Sequence, residues 1–414
     1  MKDSGQQWFK DAKYGLFIHW GLYSILAGEY KGKKTDRIAE WIENTLNIPV
    51  EEYRRLAEQF CPAGFDADEF VRRAKQDWGM QYLVFTAKHH DGFAMYDSKV
   101  SDFNVVKATP YGEDILMQLR RACDRHGMRL GIYYSQAQDW DDPNGFMMHR
   151  DNSRKDFRKY FDEKCKPQVR ELLENYGPFC LIWFDTPMGI TVEQTEDLIH
   201  LVKSLQPDCL LSGRTGNHMG DYMTTGDNFL PRLPYEGDWE LPATVNDTWG
   251  YNKYDTNWKS PDTLIRLLLR VVGRGGNCLL NVGPTADGVV PQPCVDILNE
   301  VGRYVNANAE AIFGSRSAGI YPYDVPGIEL THKAHKLYIH VLSPRIRIEL
   351  INIGNTVRNA YLVSDHSPLA FFTGRTCEGD GMVEISLPEH LRTAGKYCVC
   401  LETEEEKPVF EPIR

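Results

Sequence analysis

Five apolar runs in this chain end on side chains that can do chemistry: His19-Trp20, His89-His90-Asp91, Tyr133-Tyr134-Ser135, Trp183-Phe184-Asp185 and Arg214. A carboxylate closing a run as apolar as Cys180 to Phe184 is costly unless it has a task or a partner. Asp185 is therefore either a nucleophile or the N-cap of a following helix, since Thr186 and Pro187 suit a helix start. Its place among the other run ends favours the nucleophile. The imidazoles of His19, His89 and His90 are of the kind that holds zinc. Against a metal, adjacent residues such as His89 and His90 face opposite ways on a strand unless the strand ends between them. Imidazole offers both a donor and an acceptor, so hydrogen bonding to sugar hydroxyls is preferred, with a purely structural role as the remaining alternative. Asp139-Trp140 is read as pocket rim or as surface turn.

A partner carboxyl is sought in the Gly-rich stretch Arg214 to Asn228 and just beyond. Asp221, Asp227, Glu236, Asp238 and Glu240 compete, and spacing does not choose, because Gly-Asp-Asn is also ordinary turn chemistry. The glycines of Gly273-Arg274-Gly275-Gly276 precede a strand rather than link a strand to a helix, which argues against a phosphate-cradling loop. There is no Gly-x-Ser-x-Gly elbow for a serine hydrolase.

The elements that must position these groups read as strands alternating with helices. Strands are expected at Tyr14–Trp20, Tyr82–His90, Arg129–Ser135, Cys180–Asp185, Cys209–Arg214 and Asn277–Val282. Asp66, with Glu69 three residues on, marks a helix start as a capping box. Further helical spacing runs over Glu113–His126, Phe157–Tyr176 and Thr263–Val272. This alternation predicts an α/β fold with a parallel sheet, and if the sheet closes into a barrel the active site lies at the C-terminal ends of its strands. After residue 315 the pattern becomes alternating, as in Leu337 to Leu342, and predicts a C-terminal antiparallel β-sandwich domain. The expected division is 1–315 for the catalytic barrel and 316–414 for the sandwich.

A chain of 414 residues with 42% apolar and 25% charged side chains has ordinary globular composition. Its net charge of −11 argues against nucleic acid or an anionic membrane as partner and suits a neutral substrate. No apolar stretch is long enough to span a bilayer, and Met1 to Trp8 lacks the basic start and apolar run of a secretory signal, so a cytoplasmic setting is expected. Ten cysteines without a C-x-x-C pair, several in apolar runs, read as reduced core thiols. Oligomeric state is not legible.

The motifs Lys13-Tyr14-Gly15-Leu16-Phe17-Ile18-His19-Trp20-Gly21, Glu40-Trp41 and Thr86-Ala87-Lys88-His89-His90-Asp91-Gly92-Phe93 occur in order. They are followed by Gly131-Ile132-Tyr133-Tyr134-Ser135, Trp183-Phe184-Asp185, Asn246-Asp247-Thr248-Trp249-Gly250-Tyr251 and Leu279-Leu280-Asn281-Val282-Gly283-Pro284. With them the sequence resembles the α-L-fucosidases of glycoside hydrolase family 29. The resemblance implies a (β/α)8-like TIM-type barrel followed by a β-sandwich, and retaining hydrolysis of terminal α-L-fucose from small carbohydrates without metal or organic cofactor, with Asp185 as nucleophile. It implies a fucose pocket lined by His19, Glu40, Trp41, His89, His90, Tyr134, Trp183 and Arg214. Where the family often reads Gly-Asp-Tyr-x-Thr-x-Glu, this chain has Gly220-Asp221-Tyr222-Met223-Thr224-Thr225-Gly226-Asp227. A one-residue insertion puts Asp227 at the general acid/base position, and Glu240 is the second candidate. Two rival functions are an α-L-galactosidase, because a methyl pocket rejects an added hydroxyl only weakly, and a catalytically inactive fucose-binding protein.

Overall fold

The computed structural model describes residues 4–232, 235–319 and 326–411. Its larger part is a curled sheet of eight parallel strands. In chain order these are β1 Tyr14–Ile18, β2 Tyr82–Lys88, β3 Arg129–Ser135, β4 Leu181–Asp185, β5 Leu210–Leu211, β6 Met223–Thr224, β7 Trp239–Thr244 and β8 Asn277–Val282. Neighbours follow the chain from β1 to β5 on one side, and β8, β7 and β6 follow on the other. The edge strands β5 and β6 meet where Asp221 N donates to Leu211 O at 2.8 Å and Leu211 N donates to Asp221 Oδ2 at 2.8 Å.

The strands are apolar on both faces, as strands covered on both sides must be. Phe17, Tyr82, Val84, Tyr133, Leu181, Trp183 and Leu279 form an inner cluster, closed from below by Phe9 of α1, Ser4–Ala12. The opposite face packs against the helices α2 Ala67–Arg72, α3 Ile115–His126, α4 Lys166–Tyr176, α5 Val192–Leu205, α6 Pro261–Gly273 and α7 Gln292–Ala307. Asp66 caps α2 by accepting from the Asp68 and Glu69 amides at 3.0 and 3.1 Å, but Glu69 turns to Arg72 and Arg73 instead of closing the box. Asp185 is not a cap: the N-cap of α5 is Thr191, six residues later, which forms a capping box with Gln194.

Two strands, β6 and β7, escaped the sequence reading. β6 is two residues inside a Gly-rich stretch, and β7 carries Pro242, which normally argues against a central strand. It is tolerated because β6 pairs only with Trp239 and Glu240, so on that edge no ladder remains at Pro242 to be interrupted. Expected strand ends at Trp20, His90 and Arg214 proved shorter, stopping at Ile18, Lys88 and Leu211.

From Arg316 the chain is antiparallel: β9 Arg316–Ser317, β10 Ile328–Lys333, β11 Lys336–Val341, β12 Arg347–Ile351, β13 Val357–Leu362, β14 Phe371–Arg375, β15 Gly381–Ser386 and β16 Tyr397–Thr403. A five-stranded sheet (β9-β10-β11-β16-β13) and a three-stranded one (β12-β15-β14) enclose a core that includes Ile339, Leu350, Ile385 and Val399. No helix among the described residues is long and apolar enough to cross a membrane.

Candidate active site

The C-terminal ends of the barrel strands surround a cleft of about 470 Å³, part of it open to solvent. Its walls are Phe17, His19, Ile38, Glu40, Trp41, His89, Tyr133, Trp183, Asp185, Thr186, Arg214, Asp227 and Trp249. Asp185 ends β4, and its backbone is pinned by Gln136, whose Oε1 accepts from Asp185 N at 2.9 Å and whose Nε2 donates to Arg214 O at 2.9 Å. Thr186 follows with φ +46°, a left-handed conformation uncommon for a β-branched residue, at the turn that carries the chain away from Asp185.

Both Asp185 oxygens are held: Arg214 Nη1 donates to Oδ1 at 2.9 Å, and the Tyr133 hydroxyl donates to Oδ2 at 2.9 Å. Burial alone would raise the Asp185 pKa, but the Arg214 cation, His90 and these hydrogen bonds outweigh it and hold the carboxyl below its ordinary value. The second arm of the Arg214 fork, Nη2, binds Asp227. One guanidinium thus carries both carboxylates, and together they keep it protonated against the cost of burial.

Of the five acids that competed in the sequence, only Asp227 reaches the cleft. Asp221, Glu236 and Asp238 precede strands β6 and β7 and so lie toward the opposite rim, with Asp221 engaged by Lys203 and Leu211. Glu240 is the second residue of β7, fully buried beneath the cleft, where it accepts from Tyr82, Trp183 and Tyr222. It does not line the cleft.

The three histidines gather because β2 ends at Lys88, before His89, so the alternation that would have separated His89 from His90 no longer applies. Their rings lie 4.1 Å apart, and His19 is 5.6 Å from His89. Asn281 Nδ2 donates to Trp249 O at 2.7 Å, which turns its Oδ1 toward His19 Nδ1, also at 2.7 Å. His19 therefore carries its proton on Nδ1 and presents Nε2 as an acceptor. Ser135 donates its one hydroxyl proton to Gln138 O at 2.8 Å, so His90 Nδ1 donates to Ser135 Oγ at 2.7 Å and Nε2, 3.6 Å from Asp185 Oδ2, is bare. Burial lowers all three histidines, His19 and His90 to about 4, and keeps them neutral at pH 7.

Glu40 accepts from Gly250 N at 2.9 Å through Oε2, while its buried Oε1 has no hydrogen-bond partner among the described residues. Burial raises its pKa to about 7. His89 Nδ1 is likewise buried and without a partner. Trp41 packs edge-on against His90 and Trp140 at 5.0 and 5.4 Å.

Tyr134 departs from its expected place. Strand alternation turns it outward, where its hydroxyl donates to Gln168 Oε1 at 2.8 Å, and Tyr133 takes the pocket position. Asp139 is neither rim nor surface turn: it is fully buried and bonded to Lys88 and Lys164 behind the site. Phe17, Ile38, Tyr133, Thr186 and Trp249 were not singled out as pocket residues. Tyr133 follows from strand parity once one inward residue of β3 is known, whereas Trp249 is brought in by a loop that carries no periodic signal.

The sequence profile of the family described as alpha-L-fucosidase matches residues 1–310. The chain is 31% identical over 336 residues to the alpha-L-fucosidase of Dictyostelium discoideum, covering 74% of this chain and 71% of that protein. Its fold is similar to the crystal structure of alpha-L-fucosidase from Vibrio sp. strain EJY3, with a TM-score of 0.91, 32% identity, and coverage of 98% of this chain and 74% of the other. The alpha-L-fucosidase of Lactobacillus casei in complex with its alpha-L-fucose product matches with a TM-score of 0.67 and 43% identity, over 72% of this chain and 97% of that one.

Proposed function

Because the chain belongs to the α-L-fucosidase family of glycoside hydrolases, we propose that it is a retaining exo-α-L-fucosidase that removes terminal α-L-fucose from fucosylated oligosaccharides or glycoconjugates by double displacement. The observation that carries this reading is the pair of carboxylates, Asp185 and Asp227, on the two arms of Arg214. Such a fork suits the separation of about 5 to 5.5 Å that a retaining pair requires. The residues 1–315 are then the catalytic unit, with 316–414 as an appended sandwich.

In the first step an Asp185 oxygen attacks the anomeric carbon. The bond to the aglycone oxygen breaks, and Asp227 gives that oxygen its proton. In the second step Asp227 takes a proton from water, the water oxygen attacks the same carbon, and the bond to Asp185 breaks, releasing fucose with its original configuration. Asp185 is suited to attack because its pKa is held low, leaving it ionised. The bare Nε2 of His19 and His90, with Glu40, His89 and Arg214, supplies acceptors and donors for the ring hydroxyls. Trp183 and Trp41 offer apolar surface to the C6 methyl.

Azide tests both assignments on 4-nitrophenyl α-L-fucoside. In Asp185→Gly azide replaces the nucleophile from the opposite face and yields the β-fucosyl azide, whereas in Asp227→Gly it attacks the covalent intermediate and yields the α-fucosyl azide. Near-normal turnover of Asp227→Gly without azide product would sink the Asp227 assignment, and wild-type product of inverted configuration would sink double displacement.

A further inference from the structure

Glu240 has no place in that mechanism, yet it is a fully buried acid in the innermost layer of the barrel. A carboxyl there is costly unless its oxygens are satisfied. Tyr82 OH donates to Oε1 at 2.6 Å, Trp183 Nε1 donates to Oε2 at 2.8 Å, and Tyr222 OH approaches Oε2 at 3.5 Å. Trp183 has a single polar atom, and its bond to Glu240 sets the rotation of the indole. The indole in turn meets the two groups that hold Asp185. The Arg214 guanidinium carbon lies 4.8 Å from the ring centre, and the Tyr133 ring stacks on it at 5.9 Å with 17° between planes. From Glu240 through Trp183, contacts run unbroken to both hydrogen-bond donors of the nucleophile.

We propose that Glu240 is a positioning residue that orients Arg214 and Tyr133 through Trp183, and thereby sets the rate of Asp185 attack without touching the substrate. This rests on the reading of Asp185 as nucleophile. The groups facing the carboxyl are Tyr82 from β2, Trp183 from β4, Tyr222 before β6, Cys278 from β8 and the more distant Arg214 cation. Burial lifts its pKa to about 7, and an acceptor oxygen faces Trp183 in either protonation state.

A 2-fluoro-fucosyl fluoride that traps the covalent intermediate tests the proposal on the full chain, alongside steady-state turnover of 4-nitrophenyl α-L-fucoside. Glu240→Leu, verified as folded by circular dichroism, is expected to slow trapping and kcat about 10- to 100-fold, the cost of leaving the buried Trp183 Nε1–H without its acceptor, with KM changed less than about threefold. Glu240→Gln keeps an acceptor oxygen and should recover kcat to within about threefold of wild type. In a Trp183→Phe background, which lacks the Nε1–H, Glu240→Leu should cost less than about threefold more, because the two changes cut one link. Additive losses, wild-type trapping in Glu240→Leu, or equal losses in the Gln and Leu variants would overturn the proposal. If the trapped label falls on a residue other than Asp185, the underlying nucleophile assignment fails as well, and mass spectrometry of the labelled peptide separates the two failures.

Discussion

Tyr133 and Tyr134 are adjacent and chemically identical, yet one donates to Asp185 Oδ2 and the other to Gln168 behind the barrel wall. Removing the first hydroxyl strips a donor from Asp185, the proposed nucleophile. Tyr133→Phe is expected to lower kcat/KM about tenfold, equivalent to roughly 1.4 kcal/mol. Tyr134→Phe should leave kcat/KM within about twofold and cost about 1 kcal/mol of stability. Kinetics and urea unfolding of the two variants check this, and a larger kinetic loss at Tyr134 would refute the inward and outward assignment. Arg214 is a second case. Its planar fork bonds Asp185 and Asp227 at once, which the single ammonium of lysine does not reproduce. Arg214→Lys is expected to lower kcat/KM at least about tenfold despite the conserved charge, measured on the aryl fucoside.

Among the elements, the segments after β5 and β6 differ from the rest of the barrel. The described residues form no helix between β5 and β7, and the loops that replace it carry Arg214 and Asp227 to the cleft. Asn228 anchors the second loop by accepting from Thr244 N at 2.9 Å, so Asp227 is fixed to the end of β7. Elsewhere close helical packing holds the barrel. A Cβ at Gly302 of α7 would overlap the Asp77 carbonyl oxygen and stand 2.7 Å from Trp78 Cα, both of them backbone. Because backbone yields less than a side chain, Gly302→Ala is expected to destabilise the fold by about 2 kcal/mol or more, despite the higher helix propensity of alanine. Unfolding in urea reports it, and a gain in stability would show that α7 has room to shift.

For the molecule as a whole, burial sets the response to pH. Glu40, Asp91 and Glu240 are each raised to about 7, chiefly by burial. Acids with raised folded pKa values contribute stability fully present below their unfolded values near 4 and lost as pH climbs to about 7. Asp139 has the opposite sign: burial raises it, but Lys164 and Lys88 prevail and hold it at about 2, so its contribution is lost as pH falls below 4. Buried His19, His89 and His90 act the other way, because histidines with lowered folded pKa values lose stability as pH falls below their ordinary value near 6.5. The carboxyl contribution is therefore read from Glu240→Gln, whose melting temperature is expected to fall less, or rise more, than that of the wild type between pH 5.5 and pH 8. A profile of Glu240→Gln parallel to that of the wild type would show that this carboxyl is not held protonated. The sandwich is tied to the barrel by Glu310, which accepts from Lys336 Nζ at 2.7 Å and from the Tyr338 and Tyr361 hydroxyls at 2.9 Å each. Arg316 adds an ion pair to Asp11 at 2.7 Å.

The alternation of apolar runs with helical spacing, the change of pattern near residue 315, and the convergence of His19, His89, Trp183, Asp185 and Arg214 are all legible from the amino-acid sequence. Apolar runs and their polar ends are local properties, and a parallel barrel brings such ends together by its geometry. Three matters belonged to the tertiary structure. Strand β7 was hidden because Pro242 is acceptable only where β6 has already ended, a fact about a neighbouring strand. The choice of Tyr133 over Tyr134 depended on the phase of β3, which shifts every side chain to the other face if it moves by one residue. Asp227 and Glu240 were rivals in sequence because both are acids near the same motif. Folding separates them by depth, since one follows its strand into the open cleft and the other lies inside β7, bonded to Trp183 and outside the cleft wall.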